Sequence, residues 1–370
     1  MRILYVTTIS LTINTFFKPH IDMLVKEGNE VDIACNYSGL AIDDFYINLG
    51  CKLHQIDFSR SPFSNDNVKA YGQLKHLVKN GNYDIVHCHT PNASVITRLV
   101  CRKFRKKNGL KVFYTAHGFH FHQGAPRRNW MFFYPIERFC SRFTDKLITI
   151  NREDYELAKK KFKAKDVHYV PGVGIDLSRF EGIGVDRAAK RREIGVPEDA
   201  FFILSVGELN ENKNHGVVIR ALAELRDHRL HYGIAGIGDK KEALLKLAAD
   251  LGIPDQLHLL GYRRDIPELN YAADIFCFPS FREGLAKSVM EAMACGLPVV
   301  CSKIRGNIDL IDEYGGSMFD PASPRECRAA LERVLTSDPT AMALHNQEKV
   351  KLFSQENVLE SMRLLYDLQS

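Results

Sequence analysis

No apolar run in this 370-residue chain approaches the roughly 20 residues that span a bilayer, so an integral membrane protein is not expected. Met1-Arg2-Ile3-Leu4-Tyr5-Val6 begins directly as a strand and lacks the small-residue cleavage site of a secretory leader. The nine cysteines are scattered, odd in number and form no C-x-x-C pair. That argues against a disulfide framework or a zinc site and suits reduced thiols in a cytoplasmic protein. His87 and His89 alternate along a short strand, are expected to face opposite sides, and have no third ligand nearby, so no metal is expected. Gly236-Ile237-Gly238 lacks the third glycine of a dinucleotide fingerprint and lies too far along the chain to open such a domain. There is no platform of interleaved aromatic and basic residues, so nucleic acid is not an expected partner. Internal repeats and low-complexity tracts are also missing.

What is present is a soluble-type composition, 45% hydrophobic and 26% charged, in a chain long enough for two α/β domains. The net charge of +5 hides an asymmetry. The first 170 residues carry 26 Lys and Arg against 15 Asp and Glu, and the remainder 24 against 30. Basic clusters stand at Arg102-Lys103-Phe104-Arg105-Lys106-Lys107 and Lys159-Lys160-Lys161-Phe162-Lys163. They read either as solvated helix faces or as attractors of anionic lipid or a pyrophosphate-bearing acceptor. Strand-like runs at 2–7, 31–36, 85–89, 112–116 and 147–150, then at 202–206, 232–235, 257–260, 275–278 and 299–302, alternate with helical ones. This predicts two parallel, doubly wound sheets. Residues 178–199 are polar and glycine-bearing and read as the interdomain connection. Residues 358–368 have helical apolar spacing.

The most informative stretch is 281–300. An apolar strand ends before Pro279, a helix is predicted over 288–295, Gly296 and Pro298 stop it, and Val299-Val300-Cys301 begins the next strand. Glu283 and Glu291, with seven residues between them, flank the loop-to-helix junction. Such loops open at the carboxyl end of a parallel sheet, where ligands of open α/β sheets sit. The backbone N–H groups around Leu285, Ala286 and Lys287 are unpaired at a helix start and suit a phosphate. A carboxylate at Glu291 can accept two hydrogen bonds from a ribose.

This segment resembles the E-x7-E donor-site motif of family 4 glycosyltransferases. Three further runs strengthen the likeness and point to the bacterial capsule and exopolysaccharide subgroup: Tyr114-Thr115-Ala116-His117-Gly118-Phe119-His120-Phe121, Tyr169-Val170-Pro171-Gly172-Val173-Gly174-Ile175-Asp176, and Val206-Gly207-Glu208-Leu209-Asn210-Glu211-Asn212-Lys213-Asn214. The resemblance implies the GT-B fold, two Rossmann-like doubly wound domains facing across a cleft. An acceptor domain over 1–177 would be completed by a returning helix at about 355–370, with a nucleotide-sugar domain over 178–354. It implies a retaining transfer from a nucleotide sugar, expected to be a UDP-sugar, to a lipid-linked saccharide in polysaccharide biosynthesis, the sugar being a hexose or N-acetylhexosamine.

By the same resemblance, Lys213 neutralises the donor diphosphate, whose charge grows as it leaves. Gly284, Leu285, Ala286 and Glu291 belong to the donor loop, with Glu283 orienting the sugar as a catalytic residue. Glu208 stands where many members have arginine, which leaves Arg263 as a further phosphate candidate. Asn212 and Gly238 line the donor side, and Gly261-Tyr262-Arg263 falls where the family holds the nucleobase. His117 matches the histidine beside the donor sugar and is the second catalytic candidate. Gly118 lets the backbone turn and expose its ring.

On the acceptor side the expected residues are Ser10, Thr12, His89, Phe119, His120 and Arg128. Ser10 and Thr12 are offered because the glycine-rich loop usual after the first strand is missing. No D-x-D occurs, so no metal and no bound cofactor are expected beyond the donor substrate. The apolar run Asn129-Trp130-Met131-Phe132-Phe133-Tyr134, flanked by Arg127, Arg128 and Arg138, admits two readings: a core-facing helix, or a lipid-contacting face at the inner side of the cell membrane. Two rival functions share the features, a nucleotide-sugar 2-epimerase and a non-catalytic nucleotide-sugar-binding subunit.

Overall fold

The computed structural model describes residues 1–368. The chain divides into two compact units, one from Met1 to Gly174 joined by the chain from Gln355 onward, the other Ile175–Ser354. The expected boundary at 177/178 therefore moves three residues earlier. Residues 178–199 are no loose connection. They carry the helix Arg187–Glu193, whose Arg191 is buried, donates to the carbonyls of Ala272, Glu198 and Ala200, and pairs with Asp274 at 2.7 Å. The buried guanidinium, saturated in this way, seals the segment onto the second unit.

The first unit holds a seven-stranded parallel sheet in the order β3-β2-β1-β4-β5-β6-β7. Its strands are β1 (Arg2–Ile9), β2 (Glu30–Asn36), β3 (Lys52–Gln55), β4 (Ile85–His89), β5 (Lys111–Ala116), β6 (Lys146–Thr149) and β7 (Asp166–Tyr169). The second holds six, in the order β10-β9-β8-β11-β12-β13: β8 (Phe201–Val206), β9 (Leu230–Ala235), β10 (Leu257–Gly261), β11 (Ile275–Phe278), β12 (Val299–Ser302) and β13 (Gly316–Phe319). All pairings between these strands are parallel. In both sheets the order reverses beside the unit's first strand, at β1/β4 and at β8/β11, the switch points where such sheets bind ligands.

The strands that sequence reading missed are β3, β7 and β13, and each lies at a sheet edge. Edge strands bury less, so Lys52–Gln55 and Asp166–Tyr169 lack the continuous apolar runs that mark central strands. The helix Gln355–Leu365 packs in the first unit, where Val358, Met362 and Tyr366 join the core cluster containing Ile3, Tyr5 and Ile33. The last two residues of the expected 355–370 span lie outside those described.

Candidate functional site

In the second unit, the helix Lys287–Ala294 starts one residue earlier than expected and ends against Gly296, whose φ of 75° is the left-handed stop. Val289, Met290 and Met293 are buried, each worth about 1.5–3 kcal/mol if fully buried. That burial fixes the helix start beneath the loop that follows β11. Glu283 on this loop meets Lys213, from the loop after β8, at 2.8 Å, both side chains about one-fifth exposed. Lys213 also stands 4.7 Å above the Phe278 ring. The pair thus spans the switch point of the sheet. Backbone ties hold the two loops together: the Phe281 N–H donates to the Asn212 carbonyl at 2.8 Å, and Asn212 Nδ2 to the Arg282 carbonyl at 3.1 Å. Asn212 therefore serves the loop–loop seam.

Glu291 lies inside the helix with its side chain 13% exposed and Lys287 at 3.7 Å. Burial raises its carboxyl above the ordinary range, while Lys287 and Arg179 offset part of that effect. A desolvated carboxylate with few internal donors is a strong acceptor for incoming hydroxyls. Gly284 and Leu285 are half-buried at the loop, and Ala286 is buried as the residue capping the helix, with no side-chain cap over its first N–H groups. Glu208 is exposed and accepts from Asn210 Nδ2 at 2.8 Å. Tyr262 is exposed and Arg263 half-buried. The Arg263 guanidinium is committed to Asp265 and Glu193, as Lys213 is to Glu283. At Gly238 a Cβ would come within 2.3 Å of the Leu209 carbonyl oxygen. The glycine is required because two backbone loops touch there.

Sequence reading missed Arg305 and Gly306. Arg305, buried after β12, donates from Nε to the Glu283 carbonyl at 3.0 Å. Gly306, at φ 80°, has no room for a Cβ beside the Gly284 carbonyl. These residues brace the loop after β11. The signal available was their place, just beyond the carboxyl end of a central strand.

The first unit presents different chemistry at its switch point. His87 and His89 were expected to face opposite sides, but residues two apart on a strand share a face, and their rings lie 4.2 Å apart. His87 is bonded at both nitrogens, to Tyr366 Oη at 2.5 Å and Thr115 Oγ1 at 2.8 Å. His89 stacks on Tyr5 and meets His117 through Nδ1···Nε2 at 3.2 Å. Its own Nε2 is buried without a partner. A bare lone pair there costs less than a stranded N–H, so His89 carries its proton on Nδ1 and donates to His117. His117 then carries its proton on Nδ1. Burial, reinforced by His20, lowers His117 to about 4. Burial also lowers His89, with His87 and His117 adding to the effect. Both are neutral at physiological pH.

Ser10 is buried at the start of the helix Ser10–Phe16, and its hydroxyl donates to the Leu40 carbonyl at 2.5 Å. It has no proton left for a phosphate oxygen, so that expectation is corrected. Thr12 is half-buried on the same helix. Phe119 is buried and stacked on Phe121, His120 stacks on Phe133, and Arg128 is exposed at the start of the helix Arg127–Cys140. These three border one cavity, together with Gly118. The core-facing reading of that helix holds for Trp130, Phe133 and Tyr134, which pack on the core, while Met131 and Phe132 are exposed. Among the described residues no group of three His, Cys, Asp or Glu is placed to hold a metal, and no helix is long and apolar enough to cross a membrane.

Two parallel Rossmann-like sheets, one with a lysine–glutamate pair and a half-buried carboxylate at its switch point, define an open α/β protein with a charged site beyond the carboxyl ends of its strands. Comparisons with known proteins give the family. Residues 186–351 match the family described as glycosyl transferases group 1, and residues 2–151 the glycosyl transferase 4-like family. EpsD of Bacillus subtilis (strain 168), which carries a provisional glycosyltransferase designation, is 36% identical over 319 residues, 84% of this chain and 81% of its own length. An Escherichia coli UDP-Gal:alpha-D-GlcNAc-diphosphoundecaprenol alpha-1,3-galactosyltransferase is 26% identical, covering 94% of this chain and 90% of that one. Among solved structures, Anabaena Alr3699/HepE in complex with UDP and glucose superposes with a TM-score of 0.78 at 17% identity over 99% of both chains. The chain belongs to the group 1, family 4-like glycosyltransferases of GT-B fold.

Proposed function

We propose that this glycosyltransferase is a retaining enzyme that moves a hexose or N-acetylhexosamine from a UDP-sugar to a hydroxyl of a lipid-linked saccharide in capsule or exopolysaccharide assembly. The observation that carries the reading is the Lys213–Glu283 pair at 2.8 Å, with the half-buried Glu291 on the helix that follows. Lys213 and the uncapped helix start balance the charge that gathers on the departing diphosphate. Glu291 accepts the ribose hydroxyls, and Glu283 orients the sugar. The bond from the anomeric carbon to the phosphate oxygen breaks, and the bond to the acceptor oxygen forms on the same face. The acceptor's proton passes to the leaving phosphate, so no protein nucleophile is required. His117 of the first unit, neutral and with its Nδ1 proton available, donates to a sugar hydroxyl. The UDP-bound structural neighbours and the lipid-linked relative support the donor and acceptor classes. The cationic first unit supports peripheral attachment to an anionic membrane surface.

The test is transfer by the purified protein from UDP-sugars to a diphosphate-linked lipid saccharide, with the anomeric configuration of the product read by NMR. Inversion would overturn retention. Isomerised donor in the absence of acceptor would mark a 2-epimerase, and UDP-sugar binding without hydrolysis or transfer a binding subunit. We also propose that turnover needs no divalent ion, since lysine and helix amides supply the countercharge. Activity abolished by EDTA and restored by Mn²⁺ or Mg²⁺ would overturn this.

A further inference from the structure

The first unit contains a cavity of about 630 Å³, within the range of roughly 300–1,000 Å³ that holds a small ligand. Its walls come from the first turns of the helix Pro91–Asn108, the loop after β5 and the helix Arg127–Cys140, with Val95, Ile96, Phe119, Phe133 and Ile136 among them. The one charged group on its floor, Glu137, is buried and paired with Arg98 at 2.8 Å. Arg98 is itself buried and lies 4.2 Å over the Tyr114 ring. Floor charge is therefore cancelled, and most of the lining is apolar, with Asn67, Asn92, Tyr114, His120 and Asn129 as the neutral polar exceptions. The mouth differs. Phe63 and Phe132, 90% and 63% exposed, stand at the rim. Arg128 also lines it; Arg127 precedes it on the same helix, and Arg60 lies two residues before the lining residue Pro62. All three arginines are exposed. An apolar bore under a cationic mouth is complementary to a hydrocarbon chain that begins at a phosphate.

We propose that this cavity takes the first isoprenoid units of a polyprenyl diphosphate, with Arg128 and its neighbours on the phosphates. It is thus a chain-binding subsite for the acceptor; the inference rests on the lipid-linked reading of the acceptor given above. A single inserted chain, rather than flat contact with a bilayer, is favoured because the apolar surface is concave and walled on three sides.

Trp130 is the sole tryptophan, and its ring lies 5.5 Å from that of Phe121, which also lines the cavity. Its emission therefore reports on the bore. Titration of the full chain with farnesyl diphosphate below its micelle concentration should change that emission saturably, with excess UDP making no difference. Inorganic pyrophosphate should give no change. Farnesol should bind more weakly, for want of the charge-assisted bonds at the mouth. Phe132→Asp, at an exposed site that folding does not depend on, should weaken farnesyl diphosphate by about tenfold or more by placing a carboxylate among the apolar contacts. Arg128→Gln should weaken the diphosphate but leave farnesol unchanged. Calorimetry on the same samples decides the case if the emission is silent. No saturable heat or emission change, equal affinity in Phe132→Asp, or binding seen only with lipid vesicles would overturn the subsite. Transfer to a lipid-linked acceptor with no farnesyl diphosphate binding would sink this inference and leave the proposed function standing. Chain binding with no transfer would do the reverse.

Discussion

The two units share one strand plan, yet their switch points are chemically opposite. At β8/β11 an ammonium meets a carboxylate, with a second, half-buried carboxylate on the following helix. At β1/β4 buried rings dominate: Tyr5, His87 and His89 touch one another, and the imidazoles are held neutral. A parallel sheet sets where a ligand goes; the loops set its polarity. The charged point suits a diphosphate that gains charge as it leaves. The neutral one suits hydroxyls, which need donors and acceptors without a net field.

Removing the ammonium should break the contrast most. Lys213→Ala should lower turnover by about 10²–10³-fold, the usual loss of one charge-stabilising group, in steady-state assays with saturating donor. Glu283 would be left half-buried without its partner, so circular dichroism should confirm the fold. A comparable loss in His117→Asn would show that the first unit carries as much of the developing charge.

Glu291→Ala should weaken UDP binding by about 1–3 kcal/mol, the scale of hydrogen bonds to a charged acceptor, read by calorimetry. Unchanged affinity in a folded variant would refute the ribose assignment.

Acid should sharpen the comparison from the other side. His117 titrates near 6.5 when unfolded and is lowered to about 4 in the fold. Between those values the unfolded chain binds the proton and the folded chain does not, so stability is lost as pH falls from about 6.5 toward about 4. His89, lowered well below the same starting value, acts in the same direction. Thermal midpoints measured from pH 7 to pH 4 should fall less steeply in His117→Asn than in the parent protein. Parallel slopes would mean that the ring is no proton-linked part of the fold.

The smallest effect concerns the outer surface of the first unit. Arg105 is tied to Asp145 by two hydrogen bonds and is not free for lipid. Exposed Arg102, Lys103, Lys106 and Lys107 remain. Replacing these four with glutamine should reduce co-sedimentation with anionic vesicles at low salt, where each basic residue near the surface is worth about 1 kcal/mol. UDP affinity should not change. Binding that persists in high salt would point to the exposed apolar residues of the helix Arg127–Cys140 instead.

Much was legible in the chain itself. The central strands, the helix start near Lys287 and the Glu283/Glu291 spacing all follow from local pattern, because central parallel strands are continuous apolar runs and helix stops need particular residues. The edge strands β3 and β7 were not legible, since half-exposed strands carry no such run, and β13, though mostly buried, is four residues long and opens with glycine and serine. Only the tertiary structure showed that Arg263 and Ser10 are already committed to partners, that Gly238 answers to a neighbouring backbone, and that His87 and His89 share one buried stack. It alone brought Arg305 beneath Glu283 and closed an apolar cavity over the Arg98–Glu137 pair. Hydrogen-bond commitments and cavities join residues tens to hundreds of positions apart. Periodicity reports which face of one element is apolar; it carries no information about which distant group lies against it.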